Sequence, residues 1–246
     1  MISAHDTPSV LAKPHKVILE PFPHIVIEDC LPEDYYRRLE SSFPDWKDIA
    51  AGVSDENKRV DWNARHALEK DISPWWKAFI SYHTSRAFYL DVLRDFETHI
   101  HLMYPQTAWV GMRNIISGMR FRDRGNFVLD CQIGVNTPTE KKTRVRGPHV
   151  DNPVELWGGL LYFPLDQGGD LILYKHNFPP KFIGKAELDD RCVTEVGRVP
   201  YKANTFVLFL NGVNSVHGVS ERQSNLPRRL VNFVGEFRNP LFELPR

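Results

Sequence analysis

The stretch FVLDCQIGVN at residues 127–136, set beside RRLVNFVGEF at 228–237, decides the fold. Side chains alternate across a β-strand, so each run sorts into two faces. In the first run Phe127, Leu129, Cys131, Ile133 and Val135 share a face, and Val128, Asp130, Gln132, Gly134 and Asn136 share the other. In the second, Val231, Phe233, Gly235 and Phe237 oppose Arg228, Leu230, Asn232, Val234 and Glu236. Each strand therefore has one greasy and one mixed face. Two arrangements produce that pattern: core against water, or helices against a cavity.

Outward from these two runs, the chain beyond about residue 110 breaks into short β-like segments punctuated by Gly, Pro and Asn. The candidates are 127–136, 143–150, 157–165, 170–174, 193–200, 205–210, 215–219 and 229–237. Residues 17–19 and 24–28 add two short runs near the start. The intervening region is helical. A helix is expected from Pro32 with acids early and arginines late, ended by Pro44. A longer helical region is expected from Pro74, with Ser73 as N-cap and a break at Thr84 or Ser85. Trp75, Phe79, Phe88, Leu93 and Phe96 give it an apolar side. The first 15 or so residues read as loose. Strands after a helical half indicate a β-sandwich or jelly roll with helices on one face. The expected organisation is one domain over 1–246, with 1–110 as helical support and 111–246 as the β core.

Composition narrows the function classes. Lys+Arg and Asp+Glu both number 31, so no global charge draws the chain to nucleic acid or a membrane surface. Three widely spaced cysteines suggest neither a disulfide framework nor a zinc site. The N-terminus has no apolar run of the secretory kind, and no segment is apolar enough to span a bilayer. These features point to a cytoplasmic protein. Oligomeric state is not legible.

The chemistry centres on His149-Val150-Asp151. Residues i and i+2 of an extended segment point the same way, so an imidazole and a carboxylate can take adjacent positions on one metal. His217, within SVHGVS, lies 66 residues past Asp151, and Arg228 and Arg229 follow 11 and 12 residues later. Two histidines and one carboxylate on one face of iron leave three positions open. A 2-oxo acid can chelate two and dioxygen the third, and the distal carboxylate of such a co-substrate suits a guanidinium.

The order HxD…H…R, with HVDNP, GGLLYFPLDQGGDLILY, ANTFVLFLNGVNSVHGVS and PRRLVNFVGEF around it, resembles the 2-oxoglutarate/Fe(II)-dependent dioxygenases. It looks closest to their prolyl-4-hydroxylase-like branch. The segment EPFPHIVIEDCLPEDYYRRLESSFP resembles the entry segment of that branch. The resemblance is strong over about 127–237, looser over 17–44, and slight over 45–110. It implies an α+β, mainly β fold: a double-stranded β-helix with N-terminal helices on the outer face of the major sheet. It implies Fe(II), 2-oxoglutarate and O2 as cofactor and co-substrates, and His149, Asp151 and His217 as iron ligands.

Arg228 or Arg229 would then bind 2-oxoglutarate, and parity favours Arg228, since Arg229 shares the greasy face. By the same parity Gln132 and Asn136 would look into the pocket on the substrate side. Leu230 departs from the small or hydroxyl residue common two positions past the arginine. Asp151 itself argues against a halogenase, in which that carboxylate is missing. The implied reaction is hydroxylation of an aliphatic C–H, with succinate and CO2 as co-products, on an amino acid, peptidyl residue or other small metabolite.

Two alternatives remain at this point. One is a nucleic-acid demethylase of the same chemistry, disfavoured by the neutral charge. The other is a non-catalytic cupin-like metal- or ligand-binding module, which leaves the arginine unexplained. The remaining candidates have ordinary readings. Lys141, Lys142, Arg144 and Arg146 read as a solvated basic loop, with attraction of an anionic substrate as the alternative, Asp130 as a solvated or ion-paired acid or a substrate contact, and Gly168-Gly169 as a turn needing positive φ.

Overall fold

The computed structural model describes residues 6–183 and 186–245. Among them the strands are β1 (His24–Ile27), β2 (Arg59–Trp62), β3 (Ser117–Met119), β4 (Phe127–Asn136), β5 (Thr139–Thr143), β6 (Glu155–Tyr162), β7 (Leu171–His176), β8 (Val193–Val199), β9 (Phe206–Leu210), β10 (His217–Val219), β11 (Arg222–Ser224) and β12 (Arg228–Phe237). The helices are α1 (Glu33–Ser41), α2 (Trp46–Ile49), α3 (Ala64–Glu69), α4 (Pro74–His83), α5 (Arg86–Met103) and α6 (Gln106–Val110).

The two alternating runs are neighbours. β4 and β12 pair antiparallel over their whole length, Arg228 opposite Asn136 and Phe237 opposite Phe127. They sit inside a seven-stranded sheet in the order β1-β9-β6-β12-β4-β2, with β3 parallel to β4 at its end. A second sheet, β10-β7-β8, and a small β11-β5 pair complete the strands. This is the jelly-roll arrangement expected from the sequence.

The greasy faces meet the helices. Phe233 at the centre of β12 lies 6.1 Å from Phe79 of α4, 5.8 Å from Phe88 of α5 and 5.2 Å from Phe206 of β9, ring centre to ring centre. Leu129, Cys131, Ile133 and Val135 join the same apolar cluster, as do Tyr36, Trp76 and Phe96. Rings in these tilted and edge-on contacts add to the burial gained from apolar area alone. Alternation in β4 and β12 thus separates helices from cavity, not core from water. Gly235 belongs to this outer face because the Trp157 indole lies across it, where a Cβ would overlap the ring.

The helix boundaries follow local chemistry. Ser73 caps α4 by accepting from the Trp75 N–H, and Pro74 takes the first helical position, where no N–H is needed. Thr84 and Ser85 divide α4 from α5 as expected. Of the two tryptophans at the start of α4, Trp76 is the fully buried one, and Trp75 packs at the margin.

Three expectations are corrected. The first 15 residues are not loose where described: Val10 and Leu11 are buried, and the Val10 N–H donates to Nε2 of His83 at 3.2 Å. Residues 1–5 lie outside the described set. The strand expected at 143–150 lies earlier, at β5, because Gly147-Pro148 interrupts the ladder; proline has no N–H to contribute. Asp130 is not solvated, though the expected local ion pair is present, with Arg120 at 3.7 Å. It is buried, and its Oδ1 accepts from the Ala64 N–H at 2.8 Å, tying β4 to the start of α3.

Candidate metal centre and its cavity

His149 and His217, 68 residues apart, meet through their backbones. Each N–H donates to the other's carbonyl at 2.9 Å. That reciprocal pair places the two imidazoles on one side, with ring centres 4.3 Å apart. Asp151, two residues beyond His149, joins them. His149 Nε2 lies 3.7 Å from Asp151 Oδ1, and His217 Nε2 lies 3.6 Å from Oδ2. One ligand atom from each residue falls within 4.8 Å of the others, a spacing that fits a single ion.

Both rings are oriented in the same way. His149 Nδ1 donates to the Gly147 carbonyl at 2.7 Å, and His217 Nδ1 donates to the Ser215 carbonyl at 2.9 Å. A carbonyl only accepts, so each Nδ1 carries the proton and each Nε2 keeps its lone pair for a metal. Burial pushes the His217 imidazole down to about 4, against the pull of Asp151, which keeps it neutral near pH 7. Burial alone would raise the Asp151 carboxyl, but His217, His149 and Arg146 outweigh it and hold it well below the usual range. Two imidazole nitrogens and one carboxylate oxygen are the donor set that suits iron(II) with open positions.

The loop carrying Asp151 is fixed by Asn211, which is fully buried. Its Oδ1 accepts from the Asp151 N–H at 3.2 Å, and its Nδ2 donates to the carbonyls of Asn152 and Glu155 at 3.0 Å each. Gly158 leaves room for the carboxylate, since a Cβ there would sit 2.9 Å from Asp151 Oδ2.

The three groups line a cavity of about 380 Å³ between the two sheets. Arg228 lies in its wall. The guanidinium is 2% exposed, which normally demands a counter-charge. Nε donates to the Gly169 carbonyl at 2.8 Å and Nη1 to Asn136 Oδ1 at 3.3 Å, but Nη2 is buried without a partner. The Asn136 Nδ2 donor is buried and unpartnered as well. The Tyr162 and Tyr201 rings flank the guanidinium at 5.1 and 4.8 Å. Gly168 and Gly169 both have positive φ, as the expected turn requires, and a Cβ on Gly169 would press to 2.7 Å from Arg228 Cδ. An anionic group with two oxygens would satisfy the free donors.

Arg229 faces the other way. Its Nε donates to the Phe163 carbonyl at 3.0 Å, and its guanidinium covers the Phe43 ring at 4.9 Å on the helix side. Asn136 lines the cavity, at the Arg228 end. Gln132 does not line it directly. It accepts from Asn232 Nδ2 at 2.9 Å, and Asn232 is the residue that faces the space. Of the basic run, Lys141, Lys142 and Arg144 are exposed, but Arg146 lines the cavity 3.7 Å from Asp151 Oδ1. Arg59, Asp61 and Glu155 also line it and had no signal in the sequence reading. Arg59 and Asp61 sit on a four-residue strand too short to show a period, and they cross over Gly134.

No family model matches the sequence, and no curated protein matches it. Solved structures do. A prolyl 4-hydroxylase from Phytophthora capsici aligns with a TM-score of 0.50 at 16% identity, covering 87% of this chain; the chain spans 59% of that protein. The alpha-ketoglutarate-dependent carbocyclase SnoK of nogalamycin biosynthesis aligns with a TM-score of 0.50 at 12% identity, covering 87% of this chain and 79% of SnoK. A Pseudomonas putida prolyl-4-hydroxylase aligns with a TM-score of 0.46 at 16% identity, covering 88% and 93%. The matches at 0.50 share the fold described above. Among the described residues no helix is long and apolar enough to cross a membrane.

Proposed function

We propose that the protein is an Fe(II)- and 2-oxoglutarate-dependent dioxygenase that hydroxylates an aliphatic C–H of a small-molecule or peptide substrate. The observation that carries this reading is the Arg228 guanidinium, buried with a free Nη2 in the same cavity as the His149–Asp151–His217 cluster. A metal-storage or purely structural cupin would have no use for that cation. In this reading His149 Nε2, an Asp151 oxygen and His217 Nε2 hold the iron, and Arg228 receives the distal carboxylate of 2-oxoglutarate, with Asn136 Nδ2 as a second donor. When bound, iron, 2-oxoglutarate and dioxygen supply the oxidising power, yielding succinate, CO2 and one oxygen atom for the substrate.

The chain's own residues bind and orient. The Gly147 and Ser215 carbonyls hold the two imidazoles in their metal-binding tautomer. Asn211 fixes the backbone of the Asp151 loop. Phe209, tilted against the His217 ring with ring centres 4.5 Å apart, and Leu160 and Leu171 give the cavity an apolar wall that limits water near the reacting carbon. Turnover under 18O2 tests the reading: succinate formed from 2-oxoglutarate in the presence of Fe(II) should carry one labelled oxygen. Unlabelled succinate, or an iron-loaded protein that fails to bind 2-oxoglutarate, contradicts it.

A further inference from the structure

The cavity has a direction, set by the inner-facing rungs of β12 and its neighbours. Arg228 stands opposite Asn136 at one end. Then come Leu230 beside Tyr162, Asn232 beside Leu160, and Val234 beside Gly158, the glycine that accommodates the Asp151 carboxylate. The last rung is Glu236 beside Glu155. The metal cluster therefore lies between a cation at one end and a carboxyl at the other.

Glu155 reaches the cavity through an irregularity. Strict alternation in β6 would put it on the outer face with Trp157. The register slips between Gly235 and Glu236, so that Leu156 is skipped and turns into the apolar core while Glu155 pairs with Glu236. Bulges re-aim side chains in this way beside active sites. The re-aimed carboxyl lines the cavity with the metal cluster. Among the described residues it has no ion pair and no side-chain hydrogen bond. The nearby acids outnumber the cations: Arg120 is already held by Glu236 at 2.9 Å and lies 3.7 Å from Asp130. Glu236 Oε2 is itself buried without a partner. Burial, then Asp151 and Glu236, push the Glu155 carboxyl up, against the pull of Arg120 and Arg146.

We propose that Glu155 is a specificity-determining residue that receives an ammonium or guanidinium group of a small substrate. The inference rests on the dioxygenase reading, in which 2-oxoglutarate takes the Arg228 end and leaves the Glu155 end to the molecule being oxidised. A cavity of about 380 Å³ shared by both favours a small amine or guanidine compound. The ammonium would bind as a point charge, and the guanidinium would bind through its planar fork.

The test is calorimetric binding to the protein loaded anaerobically with Fe(II) and 2-oxoglutarate. The probes are n-butylamine and n-butylguanidine, each against an uncharged counterpart of like length, n-butanol or n-butylurea. At least one cationic probe should bind ten times more tightly than its counterpart. Glu155→Gln should weaken that binding tenfold or more and leave the neutral probe's binding unweakened. The variant should melt at or above the wild-type temperature, which shows that it folds. Equal binding of charged and neutral probes, no binding of either cation, or undiminished binding to Glu155→Gln overturns the assignment of Glu155. Failure of the wild type to bind 2-oxoglutarate is a separate result, and it overturns the dioxygenase reading along with it.

Discussion

A single residue position separates Arg228 from Arg229, and the two have opposite surroundings. Arg228 is buried in the cavity wall with a free Nη2, whereas Arg229 packs against Phe43 and the Phe163 carbonyl. A charge-assisted pair with a carboxylate contributes about 1.5–3 kcal/mol. Arg228→Ala should therefore weaken 2-oxoglutarate binding roughly ten- to a hundred-fold, measured by titration calorimetry on the iron-loaded protein. Arg229→Ala should leave that affinity within twofold and lower the melting temperature instead. Equal losses for the two variants would contradict the parity argument. Gly158→Ala should weaken Fe(II) binding by about tenfold, because its Cβ would crowd Asp151 Oδ2; changes beside metal ligands typically act on this scale. A competition titration for Fe(II) checks it. At this scale the sequence was most legible where a short-range rule applied: i and i+2 for His149 and Asp151, and alternation for Arg228. It was least legible where a residue's surroundings come from far away. Asn211 and Arg146 look ordinary in the text, and only the folded chain brings them to Asp151.

Among the elements, long periodic segments were read well and short or irregular ones were not. β4 and β12 run ten residues each, long enough for alternation to assert itself. β2 and β11 have four and three residues, and Pro148 interrupts the segment after β5. The bulge in β6 is a different kind of miss, since one skipped residue reverses the face on which Glu155 falls.

The α4–α5 junction carries a pH-dependent contact that the sequence did not suggest. His83, fully buried, donates from Nδ1 to the Phe79 carbonyl and accepts the Val10 N–H at Nε2, so it must be neutral to hold the N-terminal segment. Burial pushes its imidazole down to about 3, from an ordinary value of 6.5. Below pH 6.5 the unfolded chain takes up a proton that the folded chain refuses until about pH 3. Stability should therefore fall across that window by up to about 1.4 kcal/mol per pH unit, with no contribution from this group above it. Denaturant melts of the metal-free protein between pH 7 and 4 should show the slope, with His217 adding in the same direction down to about pH 4. His83→Gln should lower it, leaving the share of His217. An unchanged slope would mean that the latch does not titrate as described.

For the whole molecule, the two sheets divide the work. The outer face of the larger sheet is committed to the helices through Phe233 and its neighbours. Its inner face and the smaller sheet enclose the cavity, with a cation, a metal cluster and a carboxyl in sequence along it. Because the cluster joins β10 to the segment before β6, metal binding should stabilise the fold. A metal at a hundred times its dissociation constant adds about 2.7 kcal/mol, visible as a rise in melting temperature that His217→Ala abolishes. The central claim, that one ion is held by His149, Asp151 and His217 and is chelated by a 2-oxo acid anchored on Arg228, is tested most directly by anaerobic visible absorption. Adding 2-oxoglutarate to the Fe(II)-loaded wild type should produce a weak charge-transfer band. The band should be lost in His149→Ala, Asp151→Ala and His217→Ala and retained in the exposed-surface variant Asp190→Asn. A band that survives all three ligand substitutions, or never forms in the wild type, would contradict the account.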